Sequence, residues 1–111
     1  MTYEMNLHNN PFNKIKQQSK TIEMRLNDGR RKSLKKDDLI IFTNNDTKEQ
    51  LTVKIIDITN YQSFKEIYEK YDKVLLGYDK DDNADYNDML MYYSQDKIDK
   101  YGVLAIQIKV I

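Results

Sequence analysis

The 111-residue chain carries eighteen Lys and Arg against eighteen Asp and Glu, with one His and no Cys. This excludes a disulfide framework, a thiolate nucleophile and a Cys- or His-clustered zinc site, and its balanced charge names no partner. The length suits one domain over residues 1–111, and no apolar run approaches the ~20 residues that span a bilayer. Nothing resembles a secretory leader, so the expected setting is cytoplasmic.

Tyr3, Met5 and Leu7 alternate with Glu4 and Asn6, which predicts a short half-buried strand. Asn10-Pro11 reads as an N-cap with proline in the first helical turn. Phe12, Ile15 and Lys16 continue that helix, which is expected to end near Gln18-Ser19. Residues 21–26 alternate strictly, with Ile22, Met24 and Leu26 on one face and Thr21, Glu23 and Arg25 on the other. Asn27-Asp28-Gly29 is a predicted turn and 30–38 a charged connection. Residues 39–43 form an apolar strand that Asn44-Asn45-Asp46 turns back into a second strand over 51–59.

In the second half, Ser63 caps a predicted helix whose Phe64, Ile67, Tyr68 and Tyr71 recur at i, i+3, i+4 and i+7. Val74-Leu75-Leu76-Gly77 is a short apolar piece with a stop. The acidic stretch 79–88 is expected to lead into a helix through Met89, Leu90 and Tyr93, and Ser94 to cap a last short one. Gly102 breaks it. Residues 103–111 form the closing strand, with Val103, Ala105, Gln107 and Lys109 on one face and Leu104, Ile106, Ile108 and Val110 on the other. About five short strands with two or three inserted helices predict an α+β fold, a small mixed sheet curled into a β-barrel. So apolar a closing strand is expected to pair near the first, because a bare edge of that kind aggregates.

The charge balance hides an asymmetry. Residues 1–56 hold eleven basic and seven acidic side chains (+4), and residues 57–111 hold seven and eleven (−4). Nine cations fall between Lys14 and Lys36, and the acids peak at Asp79, Asp81, Asp82, Asp85 and Asp88. Two solvated faces, two halves attracting each other, or a basic surface for phosphates all fit. His8 reads as a turn residue, and Tyr68 and Tyr71 read as core.

Alternate side chains on a strand lie about 6.5–7 Å apart, so Thr21, Glu23 and Arg25 share a face, with Lys20 at its entrance. An ammonium, a carboxylate and a guanidinium so gathered can hold phosphate, read a base edge or move a proton. The same pattern also suits an exposed charge ladder worth little.

Lys20-x-x-Glu23-x-Arg25 resembles the signature of the ASCH (activating signal cointegrator homology) domain family, Gly-x-Lys-x-x-Glu-x-Arg, in register. The flanks are similar too: Pro11-Phe12-x-x-Ile15-Lys16, Leu26-Asn27-Asp28, Arg30-Arg31, the 39–43 strand, Tyr92-Tyr93-Ser94 and Lys100-Tyr101-Gly102-Val103. The resemblance covers almost the whole chain. It implies a small single-domain bacterial-type member with a PUA-like mixed β-barrel and a cleft beside the signature strand. Two positions depart from the family: Gln18 stands at the leading Gly, and Asp37-Asp38 where Gly-Asp often precedes the next strand. Both tight turns must then be made by residues with a Cβ.

The resemblance implies an RNA- or nucleotide-binding domain, with Lys20 and Arg25 on phosphate and Glu23 on a base edge. Thr21, Arg30, Tyr93 and Tyr101 are the further ligand-contacting candidates; Tyr92, Tyr93 and Tyr101 either line the cleft, where bases stack on aromatic rings, or pack beneath it. One bacterial branch of the family hydrolyses the acetyl amide of 4-acetylcytidine with a Lys and a Thr from the signature and a downstream Glu. Glu23 occupies that Thr position here, so an amidohydrolase would rest on Lys20 and Glu23 as its catalytic residues, with a carboxylate from 79–88 unassigned. The third reading is a protein-interaction domain. No cofactor is expected, and no metal, because 79–88 lacks Asp-x-Asp-x-Asp-Gly spacing. The expected partners are RNA, a nucleotide or a nucleoside, with no membrane, and a monomer is the default.

Overall fold

The computed structural model describes all of residues 1–111. The chain forms five strands and three helices: β1 (Thr2–Leu7), α1 (Asn9–Lys16), β2 (Ile22–Leu26), β3 (Leu39–Asn44), β4 (Gln50–Tyr61), α2 (Phe64–Lys70), α3 (Gln95–Tyr101) and β5 (Val103–Val110). Two 3-10 turns, Gly29–Ser33 and Tyr86–Met91, complete the order. The strands form one sheet in the order β1-β3-β4-β5-β2, with β1 and β3 parallel and every other pair antiparallel. It curls into a half-barrel, the curled α+β sheet that the pattern of short strands predicts and the PUA-like architecture that the family resemblance implies. No helix is long and apolar enough to cross a membrane.

β5 explains the layering, because both of its faces are apolar. Leu104, Ile106 and Ile108 enter the inner core with Tyr3, Ile40, Phe42, Val53 and Ile55, and Phe12 and Ile15 of α1 seal that core. Val103 and Ala105 face the opposite way, into a second core with Ile22, Met24, Leu26, Phe64, Ile67, Leu76 and Ile98. A strand buried on both sides belongs in the middle of a sheet. Accordingly β5 lies between β4 and β2 and does not pair with β1, contrary to the expectation that it would return to the first strand. Its backbone is covered, and the edges fall to β1 and β2.

Smaller differences have local causes. α1 begins at Asn9, with His8 rather than Asn10 in the cap position and Pro11 still in the first turn. Asn9 instead accepts from the side-chain amides of Asn13 (3.1 Å) and Asn44 (2.9 Å), tying the helix start to the end of β3. Ser63 precedes α2 without a side-chain cap bond, whereas Ser94 Oγ accepts from Lys97 N at 3.3 Å. The acidic stretch opens a 3-10 turn and not an α-helix. Only Met89 of Tyr86–Met91 is buried, so no apolar stripe draws a longer helix onto the core.

Candidate functional site

The two ends of α1 and β2 set the geometry. Gln18 N donates to Ile15 O at 2.9 Å and Ser19 N to Lys14 O at 3.0 Å, the bond pair of a Schellman closure. That motif needs a left-handed residue at its centre, and Gln18 supplies it with φ +67. Lys20 follows at once, and β2 starts two residues later. Its entrance is clamped from outside the sheet, where Thr21 N and Ile22 N both donate to Leu75 O at 3.0 Å. The turn that carries Leu75 continues to Gly77, whose carbonyl accepts from Lys14 Nζ at 2.7 Å. Lys14 also meets Asp79 Oδ1 at 2.9 Å, so the basic helix and the acidic loop do attract each other here.

Glu23 and Arg25 pair across β2–β5 with Ile106 and Leu104, and therefore share the concave face of the sheet. The expected exposed face of β2 is thus enclosed: Glu23 is 4% exposed and Lys20 8%. The carboxylate is fully engaged. Lys20 Nζ lies 3.1 Å from Oε1, Met24 N donates to Oε1 at 3.0 Å, and Arg25 Nε and Nη2 donate to Oε2 at 3.2 and 3.0 Å. Burial alone would push the Glu23 carboxyl up, but the charges of Lys20 and then Arg25, with their hydrogen bonds, outweigh it and hold its pKa at about 2. Burial pulls Arg25 down, yet Glu23 and, less, Tyr93 overcome it, so the guanidinium sits above its ordinary value. Arg25 Nη2 also reaches Asn6 O at 3.1 Å, bridging the two unpaired sheet edges.

Lys20, Glu23 and Arg25 form the floor of a cavity of about 760 Å³, a size typical of small-molecule sites. One wall is Asn6, His8 and Lys14, and the other is tyrosine-rich, with Tyr68, Tyr78, Tyr92 and Tyr93 beside Met89 and Met91. At the rim Met91 is 82% exposed and Tyr92 60%. Asp82 and Asp88 also reach this wall. Tyr78 donates to Asp88 Oδ2 at 2.7 Å, and its hydroxyl stands 2.8 Å from that of Tyr68. Burial first, then hydrogen bonds to Tyr68 and Asp88, raise the Tyr78 hydroxyl well above the usual tyrosine range, so it stays a donor. No three His, Cys, Asp or Glu side chains cluster to hold a metal ion.

Of the residues singled out from the sequence, Lys20, Glu23, Arg25 and Tyr93 line this cavity. Thr21 opens instead into a separate hollow of about 370 Å³ with Tyr71, Gln107 and Lys109, because regular strand alternation begins only at Ile22. Arg30 lies outside the cavity, its guanidinium 5.5 Å above the Tyr3 ring. Tyr101 is half-buried against the second core, with Lys32 and Lys100 over its ring. Sequence reasoning did not place Lys14, Gly77 or Tyr78 in the site and left the carboxylate of 79–88 unassigned, of which Asp82 and Asp88 line the cavity. Gly77 left a signal as one of three glycines in the chain, set just after an apolar run, and Lys14 as the start of the basic run.

A curled five-stranded mixed sheet with a helix packed into its concave side defines the PUA-like class of fold. Within that class residues 5–111 match the ASCH domain, and the chain belongs to the ASCH domain family. It is similar over the full length of both chains to the crystal structure of the hypothetical protein PH0355, with 33% identity and a TM-score of 0.84. It is also similar to protein PF0455 from Pyrococcus furiosus, solved by solution NMR. That match has 31% identity and a TM-score of 0.78, over 100% of this chain and 98% of that one. No curated protein matches.

Proposed function

We propose that this ASCH domain binds single-stranded RNA, taking one nucleotide into the cavity above Lys20, Glu23 and Arg25. The observation that carries the reading is two cations held around one carboxylate at the base of a hollow rimmed by Met91, Tyr92 and Tyr93. At that end of the cavity two positive charges against one negative leave a local excess of one for an anion, set apart from the lining Asp82 and Asp88, and the exposed ring of Tyr92 offers a base a stacking face. Glu23, with both oxygens occupied, orients Lys20 and Arg25 and does not read a base edge.

Hydrolysis of a 4-acetylcytidine-type amide is the weaker reading. A carboxylate with a pKa of about 2 is a poor general base, and the hydroxyl of Thr21 belongs to the other hollow. The charge asymmetry that suggested a protein partner is partly consumed within the fold, where Lys14 meets Asp79.

Fluorescence anisotropy with a labelled single-stranded RNA, titrated at several salt concentrations, tests the proposal. Affinity should fall as salt rises, with each phosphate contact adding about −0.7 to the log–log slope. Lys20→Ala and Arg25→Ala should each weaken binding about tenfold or more, the scale of a lost charged hydrogen bond. Binding indifferent to salt and to both substitutions in folded protein overturns it.

A further inference from the structure

The 3-10 turn Gly29–Ser33 carries three consecutive cations, and each is parked over a different tyrosine. Arg30 Cζ lies 5.5 Å from the ring centre of Tyr3, Arg31 Cζ 5.8 Å from Tyr93, and Lys32 Nζ 5.4 Å from Tyr101. Those rings come from β1, the segment before α3, and α3 itself, so three separate elements fix one short turn. Arg31 is further held by Asp28 at 2.7 Å, whereas Arg30 and Lys32 make no ion pair. A cation resting on an aromatic face keeps its charge and most of its N–H donors directed away from the ring. The result is an ordered basic ridge with two uncompensated charges.

This ridge adjoins the cavity. Arg31 Nη1 donates to Tyr93 Oη at 3.2 Å, Tyr93 lines the cavity, and Tyr93 also lies close enough to Arg25 to help raise its pKa. Arg31 therefore joins the turn to the cavity through Tyr93, and Arg30 and Lys32 flank it in the chain, each over its own tyrosine. Asp82 and Asp88 also line the cavity and repel a polyanion, so a strand leaving past Tyr93 is drawn toward the cations of the turn.

We infer that Arg30, Arg31 and Lys32 form a phosphate rail for the RNA strand leaving the cavity, which makes the ligand an oligonucleotide and not a free nucleotide. The inference rests on the reading of the cavity as an RNA site. Tyr92, beside Tyr93 at the mouth, is placed to stack the base that crosses from cavity to rail.

The test compares nucleoside monophosphates, by calorimetry, with a single-stranded RNA of about eight nucleotides, within the 4–16 of comparable sites, by anisotropy across salt. The wild-type protein should bind the oligomer at least tenfold tighter than any monophosphate. The double variant R30Q/K32Q should lose about 1.4 from its log–log salt slope, roughly 0.7 per phosphate contact, and keep monophosphate binding unchanged. The milder single variants Arg30→Gln and Lys32→Gln, both on exposed side chains, should each lose about 0.7. Arg30→Lys should restore the slope, because the rail acts through charge. Equal affinity for monophosphate and oligomer, or an unchanged slope in the folded single variants, overturns the rail and leaves the cavity reading standing. If neither ligand binds the wild-type protein, both fall.

Discussion

Lys20 runs directly across Gly77. A Cβ built on that glycine would stand 2.9 Å from Lys20 Cδ, with Nζ at 3.5 Å and Cε at 3.6 Å. Gly77 also has φ +110, a backbone conformation closed to ordinary side chains. The absent side chain therefore serves two ends: the turn can form, and the lysine stem can lie flat against it and deliver its ammonium to Glu23.

Gly77→Ala should accordingly destabilise the fold by about 1–3 kcal/mol through backbone strain and displace Lys20. Urea unfolding measures the first effect. RNA affinity measured well below the unfolding transition should report the second, as a loss similar to that of Lys20→Ala.

Glu23 makes acid stability a signature of the site. Its pKa is lowered from 4.5 to about 2 in the folded protein, so its ion pairs add stability above the unfolded-state pKa, and that stability is lost as pH falls through the folded value. The expected contribution at neutral pH is about 3 kcal/mol, disappearing between pH 4.5 and 2. Glu23→Gln should flatten the stability profile in that window. At neutral pH it should cost about 3–5 kcal/mol, because Lys20 and Arg25 are left buried without their anion.

The two departures from the family signature make a third prediction. Gln18 has φ +67 and Asp37 φ +76, both left-handed, at the two places where the family has glycine. A Cβ there costs about 1–2 kcal/mol, against about 0.4–1 kcal/mol for the extra unfolded-state freedom of glycine. Gln18→Gly and Asp37→Gly should therefore each stabilise the protein by about 0.5–1 kcal/mol. Chemical denaturation checks both. The Gln18 substitution should leave RNA affinity intact, because the Schellman bonds that place Lys20 are backbone bonds.

How far the sequence carries the argument depends on the range of the interaction. The alternation of 21–26 and the run of 39–43 were enough to place β2 and β3, because strand periodicity is local. The spacing of Lys20, Glu23 and Arg25 was enough to bring them together. Which face of β2 is enclosed was not legible. Alternation separates two faces but does not say that both are covered, and here Ile22 packs on the helices while Glu23 points into the barrel beside Ile106. Lys14 and Gly77 are 63 positions apart, and Tyr78 finds Asp88 across an irregular loop. Such pairs follow from tertiary packing and leave no periodic trace. The position of β5 was misjudged for a related reason: an apolar edge demands a neighbour, but hydropathy does not say which strand supplies it.

The account turns on the hollow above Lys20, Glu23 and Arg25 being where RNA sits. Backbone amide NMR during titration with a short single-stranded RNA reads this residue by residue. The account predicts the largest shifts at Lys20, Glu23, Arg25, Tyr92 and Tyr93, with smaller ones along Arg30–Lys32 and none on the exposed face of α2. Shifts confined to α2, or a saturating titration that leaves the Lys20–Arg25 amides unmoved, would contradict it.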